Sequence, residues 1–168
     1  MRIVFQSARL YFREFTEDDV PLLLDLDSNP NVLKYMHRPV PTLQNVTDEL
    51  HKRILPHYKL YGYGRWGIYL KPGNTFIGAS GLKFLREFTE TDMGYQFKED
   101  YWGKGYGYEA AKAVIDYGFE SLKLPAIFAK ALPANIASWK IMEKCGMQYI
   151  GDVLDDDGLT VKKYMICK

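Results

Sequence analysis

The chain has 168 residues, 47% hydrophobic and 26% charged, with 22 basic side chains against 21 acidic ones for a net charge of +1. That length suits one domain with a full core and excludes two of ordinary size. Near-neutral charge, two cysteines and the lack of an apolar run near the roughly 18 residues of a membrane span exclude an electrostatic nucleic-acid binder, a disulfide scaffold and a membrane-spanning protein.

Taken in chain order, Met1 to Ser7 lacks the long apolar core and small-residue cleavage site of a secretory signal, so the cytoplasm is the expected compartment. Arg9 to Phe15 reads as a first strand. Thr16 caps a helix, with Asp19 three residues on and Leu22, Leu23 and Leu26 as its apolar stripe, and Asn29-Pro30-Asn31 breaks it. A second helix is expected from Thr42 to Tyr58, where Val46, Leu50 and Ile54 share a face. Three strands follow, Arg65–Lys71, Thr75–Leu85 and Thr91–Lys98, the first closed by the turn Pro72-Gly73-Asn74.

The helix from Gly105 to Ser121 is the best defined, since Ala111, Val114, Ile115, Gly118 and Leu122 form a core-facing stripe. Pro125–Leu132 reads as a strand and Asn135–Lys144 as a helix closed by Gly146. Strands Gln148–Leu154 and Leu159–Cys167 flank Asp155-Asp156-Asp157-Gly158, a hairpin signal whose acids read as turn chemistry. The strand–helix–strand unit from Thr91 to Leu132 implies a parallel pair and the hairpins imply antiparallel ones, so the sheet is mixed. Cys145 and Cys167 read as reduced, partly buried thiols, and His37, His51 and His57 lack the spacing of metal ligands, so no metal is expected.

The chemistry centres on Tyr101-Trp102-Gly103-Lys104-Gly105-Tyr106-Gly107, between a strand and a helix. Glycines let the backbone turn sharply and expose its N–H groups, which together with the positive end of the helix dipole form an anion site, and Lys104 adds a cation. A diphosphate is the natural guest. A magnesium-dependent P-loop would need Ser or Thr after the lysine, where Gly105 stands. A dinucleotide fold would need a G-x-G-x-x-G run and an acid about 20 residues on, and Lys123 to Ala131 holds none.

The chain resembles the GNAT acetyltransferase superfamily, closest to the branch that includes the N-terminal acetyltransferases of ribosomal proteins. Arg9-Leu10-Tyr11-Phe12-Arg13, Asn31 to Met36, Met93-Gly94-Tyr95, Tyr101 to Ala110, Asn135 to Ser138 and Glu143 to Gly146 carry the resemblance over nearly the whole chain. It implies an α+β fold: a mixed, mostly antiparallel sheet of about seven strands, a central splayed parallel pair and about four flanking helices. It implies acetyl-CoA as cosubstrate, with its pyrophosphate on the backbone of Gly103, Lys104, Gly105, Tyr106, Gly107 and Tyr108 behind Trp102. The pantetheine would pair with the strand at Met93 and Gly94 and run past Asn135. The partner implied is an amine acceptor, neither nucleic acid nor membrane, and a homodimer is common among relatives.

Acetyl transfer to an amine needs a neutral amine, a stabilised oxyanion and a proton for the leaving thiolate. Ser138, one turn after Asn135, is the candidate for the thiolate, because Met142 stands where many relatives carry a tyrosine acid. A serine there also suits backbone capping. The backbone N–H of Gly94 or Tyr95 is the expected oxyanion donor, and Asp92 and Glu90 are candidate bases, although strand-end charges are more often simply solvated. Tyr95, Tyr35 and His37 are candidates for the acceptor groove, from a segment Asn29 to Gly64 expected to form its wall.

Overall fold

The computed structural model describes residues 3–168. Its described residues form one sheet in the order β1-β2-β3-β4-β5-β6-β8-β7. β2 (Leu10–Arg13) falls within the expected first strand, and β1 (Ile3–Gln6) pairs with it as a hairpin, so the sheet has eight strands where about seven were expected. β1 is too short for alternation to reveal, and its Phe5 is held by stacking on Phe12 and Tyr117, at 4.3 and 4.4 Å between ring centroids.

The Thr16–Asp19 capping box is present but opens a 3-10 turn, Glu17–Asp19, ahead of α1 (Val20–Asp27). Asp19 is drawn inward by a buried two-pronged pair with Arg13, at 2.7 and 2.6 Å. Asn29-Pro30-Asn31 does more than break α1. Asn29 accepts from the Asn31 N–H and caps a short helix, α2 (Pro30–Leu33), with Pro30 in its first turn. α3 (Leu43–Glu49) passes through a π-turn at Leu50–Ile54 into α4 (Leu55–Tyr61). The widened turn falls where Pro56 has no N–H to give the preceding turn. Gly62, at φ 76°, closes this helix three residues beyond its expected end.

β3 (Arg65–Leu70), β4 (Phe76–Leu85) and β5 (Glu90–Phe97) form an antiparallel meander. α5 (Tyr106–Glu120) crosses over to β6 (Ala126–Ala131), parallel to β5. α6 (Ile136–Lys144) leads to the hairpin of β7 (Gln148–Leu154) and β8 (Thr160–Cys167). In the turn before β8, Asp155 accepts from the N–H groups of Asp157 and Leu159, so the acids serve the turn, as expected. No metal-holding group of acids, histidines and cysteines occurs among the described residues.

Helices cover the two sheet faces over separate cores. Trp66, Leu82, Met93, Val114 and Ile127 belong to the core that includes α5, while Phe15, Leu26, Leu50 and Tyr69 form the second with α1 and the α3–α4 segment. α1 and α3 reach only one half of the sheet. That asymmetry positions the site. No described helix is long and apolar enough to cross a membrane.

Candidate active site

The parallel pair opens almost as soon as it forms. β5 and β6 are in register only at Asp92 and Phe128, yet β5 continues to Phe97 and β6 to Ala131. Because the Lys98 N–H donates to the Ile77 carbonyl, antiparallel alternation turns the even-numbered backbone of β5 toward β4. The backbone polar groups of Tyr95 therefore face the gap. Those of Gly94 do not, so of the two expected oxyanion donors only the Tyr95 N–H is aimed there. At the wide end, the Phe97 carbonyl accepts from the Trp102 indole at 2.9 Å, so half-exposed Trp102 braces the gap.

At this end the glycine loop enters α5. Gly103 and Gly105 hold φ +70° and +81°, the left-handed region, and a Cβ at Gly103 would meet nothing within 4 Å. Gly107 does something else: a Cβ there would lie 2.8 Å from Ile141 of α6, so its role is close helix packing rather than turning. The N–H groups from Gly103 to Tyr108 have no protein acceptor among the described residues, whereas Glu109 N–H already bonds to Gly105. Helix geometry orphans these donors and adds the positive end of the dipole.

A feature with no sequence signal supports the loop from behind. Glu109 accepts from Ser7 Oγ, Arg9 N–H and Arg9 Nε at 2.7, 2.7 and 2.6 Å. Arg9 also donates to the Lys104 carbonyl at 3.1 Å and lies 4.4 Å over the Tyr106 ring. The β1–β2 turn is thereby tied to the loop across about a hundred residues of chain, and Glu109 is the tie. Burial works to raise the Glu109 pKa, but the bonds from Ser7 and Arg9 outweigh it and hold the carboxyl below its ordinary range. A surface groove of about 620 Å³ lies beside this tie on the outer side of α5 and not in the β5–β6 gap.

Side chains of β5 separate the two faces of the sheet. Thr91, Met93, Tyr95 and Phe97 turn toward the core and α6. The Tyr95 hydroxyl donates to the Ser138 carbonyl at 2.8 Å and lies 3.1 Å from Ser138 Oγ. Tyr95 thus joins Ser138 and turns away from the face that carries Asp92. Burial pushes its pKa well up, partly offset by the Ser138 bond. Asn135 caps α6, its Oδ1 accepting from the Ser138 N–H at 3.3 Å, and Met142 is buried in the core.

Glu90, Asp92, Gly94 and Gln96 turn to the other face. Asp92, at the point where the strands part, accepts from Arg65 at 2.8 Å, with 17% of its side chain exposed. Burial raises its pKa against the pull of Arg65, Lys130 and Lys83. Arg65 also bonds the Gly81 carbonyl and lies across Gly94, where a Cβ would come within 2.1 Å of its guanidinium. Sequence reading missed this arginine, which keeps Gly94 bare. Glu90 is held by Lys163 at 2.7 Å, two residues short of the opening. Tyr35 and His37 follow α2, and His37 adopts φ 46°. Neighbouring Arg38 reaches Asp27, which also accepts from Gln96, so this segment borders the same face. His57 is fixed as a neutral tautomer between the Tyr63 carbonyl and the Phe84 N–H, and burial lowers its pKa.

The family described as Acetyltransferase (GNAT) domain matches residues 9–148. An uncharacterised N-acetyltransferase, p20 of Bacillus licheniformis, is 32% identical over 165 residues, covering 95% of this chain and 92% of its own. The crystal structure of a GNAT-family acetyltransferase from Bacillus anthracis superposes with a TM-score of 0.82 at 26% identity, covering 99% of this chain and 98% of that one. A ribosomal L7/L12 alpha-N-protein acetyltransferase, RimL, in complex with coenzyme A shares the fold with a TM-score of 0.84 at 19% identity, covering 99% and 98%.

Proposed function

The chain belongs to the GNAT acetyltransferase family, and from that premise we propose that its residues act as one domain moving an acetyl group from acetyl-CoA directly to a primary amine, with both substrates bound together. One juxtaposition carries this reading: unpartnered N–H groups from Gly103 to Tyr108 lie at the mouth of a strand pair that is open beyond Asp92 and Phe128. A diphosphate suits the first and an extended amide-bearing arm the second, and coenzyme A has both. Lys104 supplies a mobile cation beside the diphosphate, and Met93, Tyr95 and Asn135 flank the arm.

In the reaction the amine nitrogen bonds to the thioester carbon, the carbon–sulfur bond breaks, the amine loses a proton and the thiolate gains one. The Tyr95 N–H is placed to donate to the developing oxyanion. Ser138 Oγ–H, which at rest donates to the Tyr95 oxygen because the Tyr95 proton is given to the Ser138 carbonyl, is placed on the α6 side to turn to the departing sulfur. Asp92 is placed on the opposite face to receive the amine proton, and its raised pKa makes it a better base than an ordinary carboxylate. Glu90, bound to Lys163, is the weaker candidate. Direct transfer is favoured over a thiol intermediate because Cys145 is buried with its pKa pushed up to about 11.

Titration calorimetry with coenzyme A tests the loop. Gly105→Ala forces a side chain into the left-handed region at about 1–2 kcal/mol, so binding should weaken roughly five- to thirtyfold. If the parent chain ignores coenzyme A, the proposal fails.

A further inference from the structure

Building on that acetyltransferase reading, we infer that the acceptor is an amine bearing a carboxylate close by, and not a polycation. Around the point where β5 and β6 part, the described strands on the face opposite α5 and α6 carry Arg65, Lys83, Lys130 and Lys163 against the strand acids Asp92 and Glu90, with Glu87 and Asp156 in the turns at the edge. The placement follows from register. Lys83 is paired directly with Asp92 on β4, Lys130 stands two residues beyond Phe128 on β6, and Lys163 is paired with Lys130 on β8. Cross-strand partners share a face.

The two strand acids are already committed. Asp92 pairs with Arg65 and Glu90 with Lys163. Farther along the face, Asp27 takes Arg38 and Gln96. Lys83 and Lys130 make no ion pair within 4 Å among the described residues and reach Asp92 only through space. Rings hold two of the ammonium groups in place: Phe128 lies 4.8 Å from Lys163 Nζ, and Phe88 lies 5.7 Å from Lys130 Nζ. Between the β4–β5 and β7–β8 turns the surface dips into a hollow of about 190 Å³ lined by Lys83, Arg86, Phe88 and Lys130, with Glu87 and Asp156 on its walls.

An amine arriving at Asp92 therefore finds two unspent cations close by. Strand spacing puts them roughly 5–8 Å away, one strand to either side. A carboxylate on the same residue as the amine, or on the next, spans that distance. A second ammonium group, as in a polyamine, would meet like charge.

The test is a binding series read separately from turnover. The peptides Ser-Asp-Asp, Ser-Ala-Ala and Ser-Lys-Lys, together with free aspartate and spermidine, are titrated into the protein with and without coenzyme A. The acidic peptide should bind about tenfold tighter than the neutral one, with the advantage shrinking at high salt. Lys83→Ala with Lys130→Ala should abolish the advantage of the acidic over the neutral peptide and leave coenzyme A binding unchanged. Free aspartate binding as well as the acidic peptide identifies a small amino acid as the acceptor; the peptide alone binding identifies an N-terminus. Equal binding of the acidic and neutral peptides, or tighter binding of spermidine, overturns the inference. Failure of every amine to be acetylated would sink the acetyltransferase reading and still leave the charge preference decided.

Discussion

Replacing Ser138 by alanine separates a chemical role for the Tyr95–Ser138 pair from a structural one. As structure, the pair is two hydrogen bonds between β5 and α6, 2.8 and 3.1 Å long. Losing such a bond costs about 1 kcal/mol, which in a chain this size lowers Tm by roughly 2–4 °C. As chemistry, a hydroxyl donating to a developing thiolate contributes about 1.5–3 kcal/mol, or roughly 10- to 150-fold in kcat. Outright proton transfer from Tyr95 is disfavoured, because burial raises its pKa far above that of an ordinary thiol near 8.5. Tyr95 then acts through Ser138 by fixing its rotamer. Ser138→Ala should lower kcat about 10- to 100-fold with KM for acetyl-CoA unchanged. Tyr95→Phe should cost about three- to tenfold, and the double variant no more than Ser138→Ala alone. Steady-state kinetics with a thiol-release readout measures all three. Additive losses in the double variant, or a kcat within twofold for Ser138→Ala, would refute the reasoning.

The other predictions concern titration. Asp92 has a raised pKa and must be charged to act as base, so the acid limb of the kcat/KM profile should lie above the usual carboxylate range. Arg65→Met removes a cation that favours the charged form, so that limb should move to higher pH; a limb that stays put excludes Asp92 as the base. The same raised pKa means that Asp92 favours folding most at low pH, and this contribution fades as pH climbs through its folded value. Urea unfolding of Asp92→Asn should show a flatter pH dependence. Glu109 behaves oppositely. Its depressed pKa gives stability that is present above the unfolded value near 4.3 and lost as pH falls through the folded one. Glu109→Gln should unfold more readily at pH 7, and its difference from the parent should vanish at acid pH, where the Glu109 carboxyl of the folded parent is itself protonated.

Local patterns exposed most of this fold. The stripe on α5 and the Asp-Gly hairpin signal repeat within a few residues, so periodicity alone finds them. β1 escaped because four residues give too little alternation, and the π-turn because its cause is one proline in an otherwise helical run. In the site, the glycine loop was legible for the same local reason. Arg65 was not, since its role rests on lying across Gly94 and Asp92 from a different strand. Nor could sequence show that Gly107, one of three evenly spaced glycines, packs against Ile141 while Gly103 and Gly105 turn the chain.

The side to which each β5 residue points is what divides the labour of the site. Tyr95 turns to Ser138 and Asp92 to Arg65, although both sit on one strand three residues apart. Odd separation places them on opposite faces, so a reagent lying in the strand gap meets a hydroxyl pair on one side and a carboxylate on the other. In the proposed reaction an amine that must lose a proton and a thiolate that must gain one would be served from opposite directions, without either group neutralising the other. A one-residue slip of β5 would exchange these faces, turning Asp92 into the core and Tyr95 toward Arg65. The long antiparallel register with β4, continuous from Gly78–Phe97 to Leu85–Glu90, guards against that slip. The chemistry of the gap therefore depends on strand pairing that lies wholly on its closed side.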